Sequence, residues 1–190
     1  DTANYLAEFR ERFRLHGGED LYLIGNWGPG PSERIVRPAD LGLDALVANN
    51  VAPVFRTDLA RKAYYAVWAA LKKLGLGPEI RDYASTIDTL AHAFETVEGR
   101  VHGSVVFGWD NTPRSGRRGL VLRNYDASTL ERALRAAIDL ERRNPESEQL
   151  LFLKSWNEWA EGNVIEPRFH ESWSVADVLE TVFDERERTS

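Results

Sequence analysis

The sequence contains no cysteine and no methionine among its 190 residues. Without cysteine it can form no disulfide, no thiolate metal site and no cysteine nucleophile. The absence fits a reducing compartment, and we expect a cytoplasmic location. Because the chain begins at Asp1 and lacks methionine, we expect it to be a processed product or a fragment.

Long apolar runs and an excess of basic residues are also missing. The longest apolar candidate, residues 63–71, is far shorter than the ~18 residues a spanning helix needs. The net charge is −6, and the arginine-rich stretches 10–14 and 132–143 are interleaved with acidic residues, which favours solvated helix faces over a phosphate track. We therefore expect a folded domain with no membrane span and no nucleic-acid partner.

Short apolar segments alternate with segments of helical periodicity. The predicted helices are residues 2–13, 58–73, 85–98, 128–143 and 174–183, and the predicted strands are residues 21–24, 43–47, 103–108 and 150–153. This alternation is typical of an α/β fold with a parallel sheet covered by helices. A closed (β/α)8 barrel needs eight strands and ~250 residues, so the chain is either an open sheet or the second half of a barrel. Residues 28–38, rich in Gly and Pro, predict an exposed loop.

Tryptophan lies at or just past the end of three of these strands. The three residues are Trp27, Trp109 and Trp156, each with Asn, Asp or Glu close by in sequence. In parallel α/β folds the carboxyl ends of the strands carry the binding site. An indole ring offers a flat apolar face on which a sugar can stack, and an N–H donor. The pattern therefore indicates a carbohydrate site, with ordinary core packing as the alternative.

The segment between residues 154 and 163 carries the strongest chemical signal. Glu158 and Glu161 lie three residues apart, with Trp156 and Trp159 beside them. On a helical turn this spacing places both carboxylates on the same side. Two carboxylates that face one substrate can provide a general acid and a general base. The alternative is a solvated acidic turn.

A second segment, residues 108–114, supplies Asp110 and Arg114 directly after a buried strand. Arg114 could hold a carboxylate, a phosphate or a pair of hydroxyls of a substrate. The alternative is an Asp-Asn turn with a structural Asp–Arg pair. His102 and His170 are weaker candidates, because such histidines are more often packed or exposed. The sequence has no metal-binding or nucleotide-binding spacing, so we expect neither a metal nor another cofactor.

Together, Trp109-Asp-Asn-Thr-Pro-Arg114 and Trp156-Asn-Glu-Trp-Ala-Glu-Gly-Asn-Val-Ile-Glu-Pro167 resemble the WbsX family. These are glycoside hydrolase family 99-like proteins of bacterial O-antigen and polysaccharide gene clusters. The resemblance implies a (β/α)8 TIM-barrel fold in which residues 1–190 are one domain containing about strands five to eight. The N-terminal half of the barrel is then missing. The open sheet edges would pair with another copy or with that missing half.

The resemblance also assigns roles. Glu158 would deprotonate the sugar 2-hydroxyl, which attacks the anomeric carbon, and Glu161 would protonate the leaving oxygen and then activate water, with retention. By the same resemblance Asn157, Trp159, Asp110 and Arg114 would position the glycan. We add as substrate-binding candidates Trp27, Trp109 and Trp156, from their places at strand ends, and Glu166. After Pro167 the sequence departs from the family pattern, which leaves specificity open. Alternatives are a glycosyltransferase of lipopolysaccharide biosynthesis and a non-catalytic glycan-binding remnant.

Overall fold

The computed structural model describes residues 2–28, 35–48, 57–167 and 172–189. The α-helices in these ranges are α1 Thr2–Leu15, α2 Asp58–Lys73, α3 Ser85–Thr96, α4 Thr112–Ser115, α5 Ala127–Glu141 and α6 Val175–Thr189. The strands are β1 Ile24–Trp27, β2 Ala45–Ala48, β3 Glu79–Asp82, β4 Arg100–His102, β5 Ser104–Val106, β6 Leu120–Arg123, β7 Phe152–Lys154, β8 Asn157–Glu158 and β9 Asn163–Val164. The chain is therefore mixed α/β. The predicted loop 28–38 lies mostly outside the described residues.

At the N-termini of α5 and α6, side-chain oxygens accept hydrogen bonds from backbone N–H groups of the first turn. The Ser174 hydroxyl accepts from the Asp177 N–H at 3.2 Å, and the Asp177 carboxylate accepts from the Ser174 N–H at 3.1 Å, as expected for a capping box. The start of α5 was predicted at Ser128 and is wrong by one residue. Asp126 and Thr129 exchange the capping bonds instead, so the cap lies two positions earlier and the helix begins at Ala127.

The parallel strands run in the order β1, β2, β4, with β5 beside β7. Only Gly103 separates β4 from β5, and its carbonyl accepts from the Phe152 N–H at 3.0 Å. Residues 100–106, which contain β4 and β5, therefore join the two ladders. The result is four neighbouring parallel strand positions, in the order β1, β2, β4–β5 and β7. These match the four predicted segments in order, although the first was predicted three residues too early.

The reason for that shift is local. The Leu23 N–H donates to the Asp44 carboxylate at 2.6 Å, and the Leu23 carbonyl accepts from the Asp44 N–H at 2.9 Å. Both backbone groups of Leu23 therefore bond to Asp44 outside the β1–β2 ladder. Ile24 is consequently the first residue to enter that ladder, opposite Ala45.

A second pair of parallel strands, β3 and β6, was not predicted. The segment after β5 bonds along β6 in the antiparallel sense, with the Trp109 carbonyl accepting from the Leu122 N–H at 2.8 Å. This contact fixes the backbone that leaves β5, and so fixes the position of Asp110 and of α4 beyond it.

The core lies between the sheet and helices α3, α5 and α6. Helix α5 buries Leu130, Ala133, Leu134 and Ala137, which share one face of the helix. Leu130 and Leu134 are completely buried, and burial of such a side chain stabilises a fold by roughly 1.5–3 kcal/mol. The packing holds β4 and β5 rigidly, and these strands lead directly to the candidate site.

His102, a weak candidate on sequence, is buried in a polar network away from the acidic segment. Its Nδ1 lies 3.0 Å from Glu141 Oε2, and its Nε2 lies 2.9 Å from the Tyr22 hydroxyl. Glu141 also accepts from the N–H groups of Gly103 and Leu150. The network ties α5 to β4 and to the start of β7, which is a structural role.

Candidate active site

The acidic segment forms a tight hairpin at the end of the sheet. Strands β8 and β9 pair in the antiparallel sense, and a 3-10 turn over Trp159–Glu161 connects them. Gly162 closes the turn at φ 68°, a left-handed conformation that glycine adopts without strain. Glu158, in β8, therefore precedes the turn and Glu161 ends it, so one tight turn separates the two glutamates.

Arg114 brings the two glutamates together. Its Nη1 lies 3.2 Å from Glu161 Oε1, and its Nη2 lies 3.3 Å from Glu158 Oε1. One planar guanidinium thus contacts both carboxylates through different nitrogens, as its fork of donors allows. Both distances exceed the 2.7–2.9 Å that is usual for strong charge-assisted bonds.

Asp110 positions this arginine instead of pairing with it. Asp110 Oδ1 accepts from the Thr112 N–H at 2.9 Å and from the Thr112 hydroxyl at 2.6 Å, and so shapes the start of α4. The Asp110 N–H donates to the Glu161 carbonyl at 2.9 Å. The turn at Asp110 that the sequence allowed is therefore present, but the Asp110–Arg114 pair is not. Arg114 bonds instead to the two glutamates of the hairpin.

Asn157 holds the base of the hairpin. Its Nδ2 donates to Glu166 Oε1 at 2.7 Å, and its Oδ1 accepts from the Ile165 N–H at 3.3 Å. Asn163 is completely buried and donates from Nδ2 to the Glu161 carbonyl at 3.1 Å. These bonds fix the backbone on both sides of Glu161. Sequence analysis missed Asn163 and Gly162, whose only signal was their place beside the glutamates.

The tryptophans of the predicted site divide by exposure. Trp156 is 77% exposed and Trp159 is 60% exposed, so both present apolar surface to solvent next to the glutamates. Trp109 is half-buried against the core. Trp27 is only 5% exposed and packs in the core with its ring 6.2 Å from that of His92. Trp27 is therefore placed with the core, and His170 lies outside the described residues.

A cavity of about 420 Å³ is lined by residues of the parallel strands. Its lining includes Asn26 of β1, Ser104 of β5, and Lys154 and Ser155 at the end of β7. The Lys154 Nζ lies 4.3 Å from the centroid of the Trp109 ring, a cation–π contact. Sequence analysis gave no role to Lys154, although it opens the acidic segment.

Within residues 2–28, 35–48, 57–167 and 172–189 there is no cluster of three or more His, Cys, Asp or Glu side chains able to hold a metal ion. None of the helices in the described part of the chain is long and apolar enough to cross a membrane.

Comparison with known proteins identifies the family. The sequence profile of the family described as "Glycosyltransferase WbsX" matches residues 1–176, most of the chain. The chain belongs to the WbsX family. Its matched region contains Arg114, Glu158, Glu161 and the hairpin around them.

This WbsX-family chain is also similar to a protein of Xanthomonas and to a solved structure. WxcX, an uncharacterized protein present in two strains of Xanthomonas campestris pv. campestris, is 35% identical over 68 residues, which are 32% of this chain and 9% of WxcX. A solved structure described as a glycoside hydrolase-like protein is 16% identical, with a TM-score of 0.51 over 97% of this chain and 49% of that one. The chain thus spans about half of the solved structure and a small part of WxcX. The structural match supports the fold alone.

Proposed function

We propose that this chain supplies the acid–base pair of a carbohydrate-active enzyme that cleaves a bacterial polysaccharide with retention. The observation that carries the proposal is the contact of one guanidinium, that of Arg114, with both Glu158 and Glu161. Two carboxylates that reach the same group are directed to one side of the hairpin. Two exposed tryptophans, Trp156 and Trp159, provide stacking surface beside them.

In the proposed reaction each glutamate moves one proton in each half. Glu158 takes the proton of the sugar 2-hydroxyl while that oxygen attacks C1 and forms an anhydro-sugar. The bond from C1 to the glycosidic oxygen breaks, and Glu161 donates its proton to the leaving oxygen. Glu161 then takes a proton from water, the water oxygen attacks C1 as the C1–O2 bond breaks, and Glu158 returns its proton to O2. Two inversions at C1 give net retention.

The role of Arg114 follows from its geometry. Its two contacts are long, and its side chain is 57% exposed, so a substrate can displace it at little cost in desolvation. Without substrate it keeps both carboxylates on one side. When a sugar binds, the glycosidic oxygen replaces Nη1 beside Glu161, which leaves this carboxyl group free to carry the proton it donates.

The proposed fold context is half of a (β/α)8 barrel, completed by another copy or by a complementary half. Four neighbouring parallel strand positions support it, as does a glycoside hydrolase-like structure of which the chain spans 49%. Within the described residues β1 and β7 are edge strands, and Phe152 and Leu153 of β7 are partly exposed. Light scattering on the isolated chain tests the first of these two completions, since a monodisperse monomer contradicts pairing with another copy.

The test of function is a glycan array with the intact protein, followed by product analysis of the glycans that bind. We expect cleavage with retained anomeric configuration, read by NMR in the first minutes of reaction. Glu158→Gln and Glu161→Gln should each lower turnover by roughly 10²–10⁴-fold while glycan binding persists. Glu180→Gln, on an exposed position of α6, is the matched control and should retain full turnover. Full turnover in Glu161→Gln contradicts the acid–base role.

The family description gives a second candidate, glycosyl transfer. A transferase would consume an activated sugar donor and lengthen a glycan, and the same product analysis distinguishes this from cleavage. Binding without any turnover would instead indicate a non-catalytic glycan-binding protein. Both outcomes keep the carbohydrate site and reject the hydrolytic mechanism.

A further inference from the structure

The end of β7 places a positive charge in a cavity with no negative counterpart. Lys154 is the only ionisable side chain among the residues that line this cavity. Its polar neighbours there, Asn26, Ser104 and Ser155, are neutral. Among the described residues no carboxylate lies within ion-pair distance of Lys154 Nζ, whereas Arg114 is already shared by two glutamates.

Two further polar groups beside Lys154 lack partners. The Trp109 Nε1 and the Ser155 Oγ are buried atoms for which the described residues provide no hydrogen-bond partner. Trp109 lies directly under the Lys154 ammonium, and Ser155 follows Lys154 in the chain and lines the same cavity. Buried polar groups are normally satisfied, so these two groups, beside an ammonium that makes no ion pair with the described residues, call for a ligand that accepts hydrogen bonds.

We infer that Lys154 makes the site selective for an acidic saccharide, one whose sugar carries a carboxylate, as a uronic acid does. A carboxylate is acceptor-only and carries the single negative charge that one ammonium balances. Trp109, which the Lys154 ammonium covers, adjoins Asp110, and the Asp110 N–H donates to the Glu161 carbonyl, so this charge lies near the acidic hairpin.

This inference rests on the proposed function, because it assumes that a glycan occupies the cavity that Lys154 lines. Hydrogen bonds to charged groups contribute more than neutral ones, which corresponds to roughly tenfold or more in affinity. The contrast between a charged sugar and its neutral counterpart therefore isolates the contribution of Lys154. The neighbouring acid–base chemistry does not depend on that contrast.

The experiment measures calorimetric binding of matched glycans to the intact protein. The probes are polysaccharides that contain glucuronate and the same polymers after chemical reduction of each carboxylate to a primary alcohol. We expect wild type to bind the acidic form at least tenfold more tightly, Lys154→Arg to keep the preference, and Lys154→Met to lose it. Lys73→Met, at the exposed end of α2, is the control and should behave as wild type.

Thermal unfolding separates a ligand site from a structural ion pair. If Lys154 awaits a ligand, Lys154→Met should keep the melting temperature of wild type. A clear loss of melting temperature together with an unchanged glycan preference means that a carboxylate of the protein satisfies Lys154, and overturns the inference. Equal binding of both glycan forms by wild type also overturns it. If neutral glycans are then still cleaved in a Glu161-dependent manner, the proposed function survives; if no glycan binds, both fail.

Discussion

Arg114 Nη1 lies 3.2 Å from Glu161 Oε1, although 47 residues separate the two in sequence. Two backbone contacts create this proximity. The segment after β5 pairs with β6, and the Asp110 N–H donates to the carbonyl of Glu161 itself. The arginine and the glutamate are thus mounted on two segments that are bonded to each other. The short distance between Arg114 and Glu161 is therefore set by the backbone fold as well as by the conformations of the two side chains.

Replacing Arg114 should therefore impair function without impairing folding. The pair is solvent-exposed on the arginine side, and exposed ion pairs contribute about 0–1 kcal/mol to stability. We expect Arg114→Met to keep its melting temperature within a few degrees of wild type and to lower turnover about tenfold or more, since neither glutamate is then oriented. Arg118→Met, an exposed arginine on the following turn, is the control. Unchanged turnover in Arg114→Met would show that Arg114 has no part in the site.

Gly162 should be intolerant of a side chain. Its φ of 68° is unfavourable for other residues by roughly 1–2 kcal/mol, and a Cβ here would lie 3.2 Å from the Asp110 nitrogen. Gly162→Ala should therefore destabilise the fold and disturb the bond that links Asp110 to Glu161. Gly17→Ala separates the two effects, because Gly17 has a φ of 82° with no atom within 4 Å of an added Cβ. If both variants lose the same stability and both keep full turnover, the expected clash between the added Cβ at Gly162 and the Asp110 nitrogen is contradicted.

The two classes of tryptophan should respond differently to truncation. Trp156 is 77% exposed, so Trp156→Ala should leave the unfolding free energy nearly unchanged and weaken glycan binding severalfold. Trp27 is 5% exposed, so Trp27→Ala should cost about 3–5 kcal/mol of stability. Chemical denaturation and calorimetric binding measure the two quantities. If Trp27→Ala folds normally but loses glycan affinity, the sequence-based assignment of Trp27 to substrate binding is supported over core packing.

Local signals in the sequence predicted the elements that depend on local chemistry. Helix α2 was predicted at residues 58–73, where it lies, because Asp58 opens the helical pattern and Gly75 and Gly77 follow its end; in the structure Thr57 caps it. The pair β3–β6 was missed because Glu79-Ile-Arg-Asp82 is short and highly charged, and its partner is 41 residues further on. Nothing within either segment specifies that pairing.

The same distinction applies to the site. The spacing of Glu158 and Glu161 indicated one turn, since that depends on neighbouring residues alone. The burial of Trp27 could not be predicted, because it depends on α3 packing over β1 and β2, which places His92 beside it. Lys154 was missed for a related reason. A lysine at the end of a strand is unremarkable until the lining of the cavity around it is known.

Acid should destabilise the fold through Glu141, which is 3% exposed. Burial acts to raise the pKa of Glu141, but the bonds it accepts from His102, the Gly103 N–H, Asn144 and the Leu150 N–H outweigh burial and hold this pKa below its usual range. A carboxyl whose pKa is lower in the folded state stabilises fully above its unfolded pKa of about 4.3, and this contribution is lost as pH falls through the folded value.

Glu141→Gln should therefore cost roughly 1.5–3 kcal/mol near neutral pH, and its deficit against wild type should shrink below about pH 4. Urea denaturation of both proteins from pH 3 to pH 7 measures this, with the exposed Glu146→Gln as control. A deficit that stays constant across this range would mean that the Gln variant loses packing, and that the ionised carboxylate is not what stabilises the joint between α5 and β4.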